Sequence, residues 1–177
     1  MKSFKLFIKE TPQLNSYLEK PIMKNIRKQY SDSIKQNHHK SELIDKENNF
    51  RRIKEGNYTH YYRTDSDNNP VEISSFDKEN TQNHVSKGNG NSENNIKFMY
   101  LHANDVGEIR SDSSNTEGSK KLWKKIINSP KEGFSTIHQY KGKEHKIDQE
   151  YLNKNEHNIW NKSLDATNHR IILRKNK

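Results

Sequence analysis

FRRIKEGNYTHYYRTDSDNNPVEISSF, residues 50–76, decides how this chain is read. Residues 57–63 and 71–76 are rich in Tyr, Thr, Val, Ile and Phe, which suit a pleated, half-buried surface. Between them TDSDNNP is turn chemistry, so the stretch predicts a β-hairpin. Asp65, Asp67 and Asn69 also imitate the first three ligands of a calcium loop. Such a loop needs Gly for its sharp turn and a bidentate carboxylate at its end. Pro70 and Phe76 stand at those places, which excludes the calcium reading.

The remainder of the chain limits what the hairpin can belong to. With 28% hydrophobic and 31% charged residues over 177 positions, the expectation is one domain with a thin core. Having no cysteine excludes disulfides, thiolate metal sites and a thiol nucleophile, and suits the reducing cytoplasm. No apolar run approaches the roughly 20 residues of a membrane helix. The opening MKSFKLFIKETPQ is too short and too charged for a secretory leader and reads as a strand or an arm. Net charge is +9, and eight lysines lie between Ser119 and Lys146 against only Glu132 and Glu144. That segment favours an acidic partner: nucleic acid, anionic lipid or an acidic protein.

Thr11–Pro12 predicts a helix start, with Leu14, Tyr17 and Leu18 on one face until Pro21. Ile22, Ile26, Tyr30 and Ile34 predict a second helix. Residues 1–49 are therefore expected as a helical N-terminal region and 50–177 as an α/β core. Within the core, 79–95 is expected as a mobile loop and Ile96 to Leu101 as a strand. Leu122, Trp123, Ile126 and Ile127 predict a helix stopped by Ser129–Pro130. Phe134–Tyr140 predicts a strand, Asp148 the start of a helix, and HRIILRK a last strand. This order implies an α/β domain around a mostly antiparallel sheet.

The hairpin with its approach resembles the signature region of the RTX-toxin-activating lysine acyltransferases, the haemolysin-activating HlyC type. Phe50, Ile53, Gly56, Tyr58, Tyr61, Tyr62, Pro70, Val71, Ser75 and Phe76 carry the likeness. Tyr140, Gly142 and Lys143 are similar to the family's late strand, and GSKKLWKKI to a helix that follows its catalytic strand. The likeness spans roughly residues 26 to 160. It implies a Gcn5-related N-acyltransferase fold, with a mostly antiparallel central sheet flanked by helices. It also implies transfer of a fatty acyl group from acyl carrier protein to an internal lysine of an RTX-type protoxin, with no further cofactor. Oligomeric state is left open, a homodimer included.

A lysine amine, with an ordinary pKa of about 10.4, must lose a proton before it attacks a thioester, and histidine suits that task. The family's catalytic His falls, with one gap, on His38, and His39 stands where Arg is expected. Its catalytic Asp falls on Leu101 or His102, and the nearest carboxylate is Asp105. Lys120, Lys121, Lys124 and Lys125 are expected to dock the acidic carrier protein, and Gly118 and Ser119 to offer backbone N–H groups to the oxyanion.

Two other readings compete. Tyr62–Ser66 with Ser135–Thr136 imitates an ADP-ribosyltransferase, without that arrangement's downstream acidic pair. His138, Lys141, His145, His169, Arg170 and Arg174 would serve a basic, metal-independent ribonuclease toxin or an RNA-binding module. His138 and His145 lack a third ligand at a recognised spacing, so no metal site is expected.

Overall fold

The structure, a computed structural model, describes residues 28–85, 93–111, 117–160 and 169–177, with Asn25. The expected features at Thr11–Pro12, Leu14, Tyr17, Leu18, Ile22 and Ile26, and positions 86–92 of the expected loop, lie outside the described residues.

The hairpin forms as its sequence predicts. Strand β3 (Tyr58–Thr64) pairs antiparallel with β4 (Pro70–Asp77), from Tyr58 opposite Asp77 to Thr64 opposite Pro70. The Asp/Asn run closes its turn: the Asp65 Oδ1 atom accepts the backbone N–H groups of Asp67 at 3.0 Å and Asn69 at 2.8 Å. Around this hairpin lie β1 (Glu42–Asp45), β2 (Phe50–Glu55), β5 (Thr81–Val85), β6 (Glu108–Ser111), β7 (Phe134–Tyr140), β8 (Lys143–Lys146) and β9 (His169–Lys175). Among the described residues these nine strands make one sheet in the order β1-β2-β3-β4-β5-β6-β9-β7-β8. Every neighbouring pair is antiparallel except β5 with β6. The helices are α1 over 28–36, a 3-10 turn at His38–Lys40, α2 (Glu93–Val106), α3 (Glu117–Asn128) and α4 (Gln149–Ile159). The chain is thus α/β with a mostly antiparallel sheet.

Side chains alternate across a strand, and the register assigns each to a face. Phe50, Tyr61, Phe76, Ile109, Ile171 and Leu173 share the face on which α2, α3 and α4 pack in one apolar cluster. Ile53, Tyr62 and Ile73 share the other face, where Ile34 of α1 covers them. Trp123 is fully buried in the larger cluster, so it is core.

Three expectations are corrected. Ile96 to Leu101 is not a strand but the middle of α2. The buried residues Asn95, Phe98, Met99, His102 and Ala103 recur at helical spacing. The expected loop over 79–95 contains strand β5 and the start of α2. The N-terminal region is not helical throughout, since β1 falls within it and pairs with β2. Elsewhere β7, β9 and α3 stand where the sequence places them, and Asp148 caps α4 by accepting the Tyr151 N–H at 2.7 Å. Asp148→Ala is expected to cost about 1 kcal/mol, read as a lowered urea midpoint; an unchanged midpoint would show that the cap carries no weight.

Candidate active site

The parallel pair marks the site. β5 and β6 are held together at Thr81–Arg110 and Gln82–Ser111; Ser111 is the last residue described before Glu117, and β5 continues to Val85. In open α/β sheets a ligand lies beyond the carboxyl ends of parallel strands, where the strand order changes direction. Helices α2 and α3 follow β5 and β6 in the chain, and each begins at this end of the sheet. The other edge of β5, against β4, carries a bulge: Phe76 pairs with Gln82 and Ser75 with His84, leaving Asn83 as the additional residue. A bulge takes backbone groups out of the ladder and re-aims them. Gln82 is buried beside the parallel pair, and its Nε2 has no hydrogen-bond partner among the described residues. A buried unpaired amide costs about 1–3 kcal/mol, so this donor suits a ligand carbonyl. The sequence reading missed β5 because TQNHV offers only Thr81 and Val85 as β-branched residues.

His38 lies at the same end of the sheet, on the α1 face. Its Nδ1 is 2.9 Å from the Tyr62 hydroxyl, and Ser41 Oγ donates to its carbonyl at 2.6 Å. Burial, and then the Arg51 and His39 charges, lower its pKa, leaving a neutral imidazole that can accept a proton. Contacts from α1 and the residue after it to β2 fix its place: Ser33 Oγ and Asn37 Nδ2 both donate to Glu55 Oε1, at 2.7 and 2.9 Å. His39 is exposed in the middle of the 3-10 turn.

His102 and Asp105 are elsewhere. Both belong to α2 and meet Tyr61, whose hydroxyl donates to Asp105 Oδ2 at 3.0 Å and lies 3.3 Å from His102 Nδ1. Arg52 holds Asp105 at 2.5 Å and Glu42 at 2.6 Å. Tyr61 and Tyr62 are consecutive in β3 and point to opposite faces. The sheet therefore separates His38 from His102 and Asp105, and the structure does not bring the expected His–Asp pair together. His102 stacks on Phe76 with ring centroids 4.2 Å apart, and its pKa falls to about 4 because it is buried. It acts as a neutral core group.

Lys120 and Lys124 lie over the Trp160 ring, at 5.8 and 5.9 Å, and Lys124 also pairs with Glu156. Lys121 and Lys125 are exposed on the outward side of α3. Gly118 and Ser119 form its first turn, at the crevice end of the sheet.

The histidines set aside for the nucleic-acid reading do assemble. His138 Nδ1 lies 2.8 Å from the Tyr151 hydroxyl and its Nε2 lies 2.9 Å from His169 Nδ1. His145 stacks on Tyr151, His169 stacks on Tyr140, and Lys141 lies 5.1 Å over the Tyr140 ring. Arg170 donates to the Ser111 carbonyl at 3.1 Å. Arg174 sits at the far end of β9, bound to Glu108 and Glu144 at 2.8 Å each. There it lines an open groove of about 940 Å³ on the α1 face of the sheet, beside Glu108, Glu144 and Lys146. The sequence showed these residue types, but register and α4 docking were needed to make them neighbours.

No protein-family model matches the chain, and neither a curated protein nor a solved structure is found similar to it.

Proposed function

We propose that the chain is an N-acyltransferase of Gcn5-related architecture, moving a fatty acyl group from the thioester of acyl carrier protein to an internal lysine of an RTX-type protoxin. One observation carries the reading: the parallel pair β5–β6 in an otherwise antiparallel sheet, with a buried Gln82 amide beside it that has no partner among the described residues. A pantetheine arm has amides that can continue the ladder along β5 beyond Gln82, where that edge meets no other strand among the described residues. The Gln82 amide can stabilise the oxyanion that forms as an amine attacks the thioester carbonyl. His38 is the base that the family likeness assigns, held by Tyr62 and not by a carboxylate.

The test mixes acyl-loaded carrier protein, a protoxin with glycine-rich repeats and this protein, and reads acyl mass on the protoxin's lysines. No mass gain refutes the proposal. His38→Ala is expected to lower the rate about 100-fold or more, with the circular dichroism spectrum unchanged. Full activity in the double variant His38→Ala, His39→Ala would remove the base assignment.

Donor class has its own prediction. Lys121→Glu with Lys125→Glu is expected to raise KM for the acidic carrier protein about 10-fold at low salt, and less at high salt. KM for a small acyl thioester should not move; an equal effect on both donors means that these lysines do not dock the carrier. The meeting of His138, His145 and His169 favours RNA cleavage as a second reading, tested by fluorescence of labelled RNA at low and high salt.

A further inference from the structure

Arg52, Arg63, Arg110 and Arg174 each bind a carboxylate. Arg51 does not. Its Nη1 donates to the Ser41 hydroxyl at 3.0 Å, and its Nε and Nη2 have no hydrogen-bond partner among the described residues. Nε and Nη2 together form a planar fork that matches the two oxygens of a carboxylate.

The unused fork is held in place beside His38. Arg51 is half-buried, and the Ser41 Oγ that receives its Nη1 donates to the His38 carbonyl at 2.6 Å. Register places it as well: Arg51 lies opposite Tyr62 on one side and Leu43 on the other, so the three form a row across β3, β2 and β1 on the α1 face. Neighbouring strands are about 4.8 Å apart, and His38 Nδ1 meets the Tyr62 hydroxyl at 2.9 Å. Fork and imidazole are therefore neighbours on one face. The row ends at β1, which has no further strand beside it among the described residues, and Leu43 there is 44% exposed. A segment of another protein can approach from that edge.

The surroundings suit an acidic segment. Lys40 donates to Asn37 Oδ1 at 3.0 Å and Lys35 of α1 to Asn69 Oδ1 at 2.8 Å, so these cations too bond neutral oxygens. Two carboxylates that border this surface are taken, Glu55 by Ser33 and Asn37, and Asp65 by the N–H groups of its own turn. The Tyr62 hydroxyl can accept Nδ1–H from His38, which leaves the Nε2 lone pair for a proton. The Arg51 charge, after burial, lowers the His38 pKa. An ammonium arriving there is likewise pushed towards its free amine. The drawback is repulsion of a cationic acceptor, which a carboxylate carried beside the acceptor lysine offsets.

We propose that Arg51 selects the acceptor by gripping a carboxylate one or two residues from the lysine that His38 deprotonates, so that acylation goes to lysines in acidic sequence. This rests on the acyl-transfer reading. An extended peptide advances about 3.4 Å per residue, so one or two residues span the single-strand step from Tyr62 to Arg51. Neutralising Arg51 also lifts its charge from His38, so docking makes the imidazole more basic when the amine is in place. The groups that act on His38 there are Tyr62 from β3, Arg51 from β2 and His39 from its own turn.

The test uses two peptides that differ only in the residues flanking the acceptor lysine, glutamates in one and glutamines in the other. With acyl-loaded carrier protein, kcat/KM is expected to be about 10-fold higher for the glutamate peptide. In Arg51→Gln that ratio is expected to fall to about one, and Arg51→Glu is expected to prefer a peptide with flanking arginines. Without donor, the glutamate peptide is expected to raise the His38 pKa above its value with the glutamine peptide, read from ring-proton NMR shifts across a pH titration. Arg51→Gln should abolish that difference. Equal kcat/KM for the two peptides in the unaltered protein overturns the proposal, as does a preference that survives Arg51→Gln. If neither peptide is acylated while the glutamate peptide still moves His38 through Arg51, the acyl-transfer reading fails and the carboxylate site stands. Labelled RNA whose binding vanishes in Arg51→Gln, with no response to the glutamate peptide, overturns the proposal in favour of a phosphate backbone.

Discussion

Between pH 6.5 and about 4 the folded protein is expected to lose several kcal/mol of stability, because His102 and His138 are buried neutral. Burial lowers each pKa from 6.5 to about 4. Above pH 6.5 neither the folded nor the unfolded chain protonates these rings, and the full stability is present. As the pH falls below that value the unfolded chain binds protons first, so stability falls until the folded rings also titrate. The loss is at most about 3 kcal/mol per ring, against a total of about 5–15 kcal/mol for a typical domain. His60, also lowered by burial, adds in the same direction. Carboxylates such as Asp45, Asp65 and Glu108 titrate below their ordinary range and act in a lower window. Urea midpoints at pH 7, 6 and 5 measure the slope. His102→Phe, which keeps an aromatic ring against Phe76, should remove about half of it. Equal midpoints at all three pH values would mean that neither ring is neutral and buried as described.

Phe98→Ala is expected to cost about 3–5 kcal/mol. Phe98 is fully buried, set edge-on to Phe50 with centroids 4.8 Å apart and against Tyr61 at 6.1 Å. It pins α2 to the sheet just past the Ser74–Asn95 hydrogen bond of 2.8 Å, and α2 begins at the crevice. Truncation therefore leaves a cavity under the helix that frames the candidate site, and the proposed acyl transfer should fall with stability. Phe98→Leu should lose about 1.5 kcal/mol. Leu101→Ala, on the exposed side of α2, should stay within about 0.5 kcal/mol. A strand would bury alternate residues, so Met99 and Leu101 would be equally sensitive; comparing Met99→Ala with Leu101→Ala in urea separates the two. Equal losses would refute the helix.

The misreading of this segment has a definite cause. IKFMYL is a short unbroken apolar run, and such a run has no period by which helix and strand can be distinguished. The period emerges only when polar Asn95 and His102 are counted as buried, which depends on Ser74 and Tyr61 being there to meet them. β2 was hidden for a related reason: FRRIKE sends Phe50 to one face and Ile53 to the other, with charged residues beside them. The β6 strand has four residues, and all four of β8 are exposed, so neither offers an apolar alternation to detect.

The amino-acid sequence determined those elements whose signals are local. These are the β3–β4 hairpin from its turn residues, β7 and β9 from their β-branched and aromatic residues, α3 from its apolar stripe, and the start of α4 from Asp148. Only the tertiary structure decided that β5 and β6 lie parallel, that His38 and Asp105 stand on opposite faces, and that His138 reaches Tyr151 and His169. The reason is physical. Turn and cap chemistry act between residues a few positions apart, whereas strand order, register and the face a side chain takes are fixed by partners dozens of residues away.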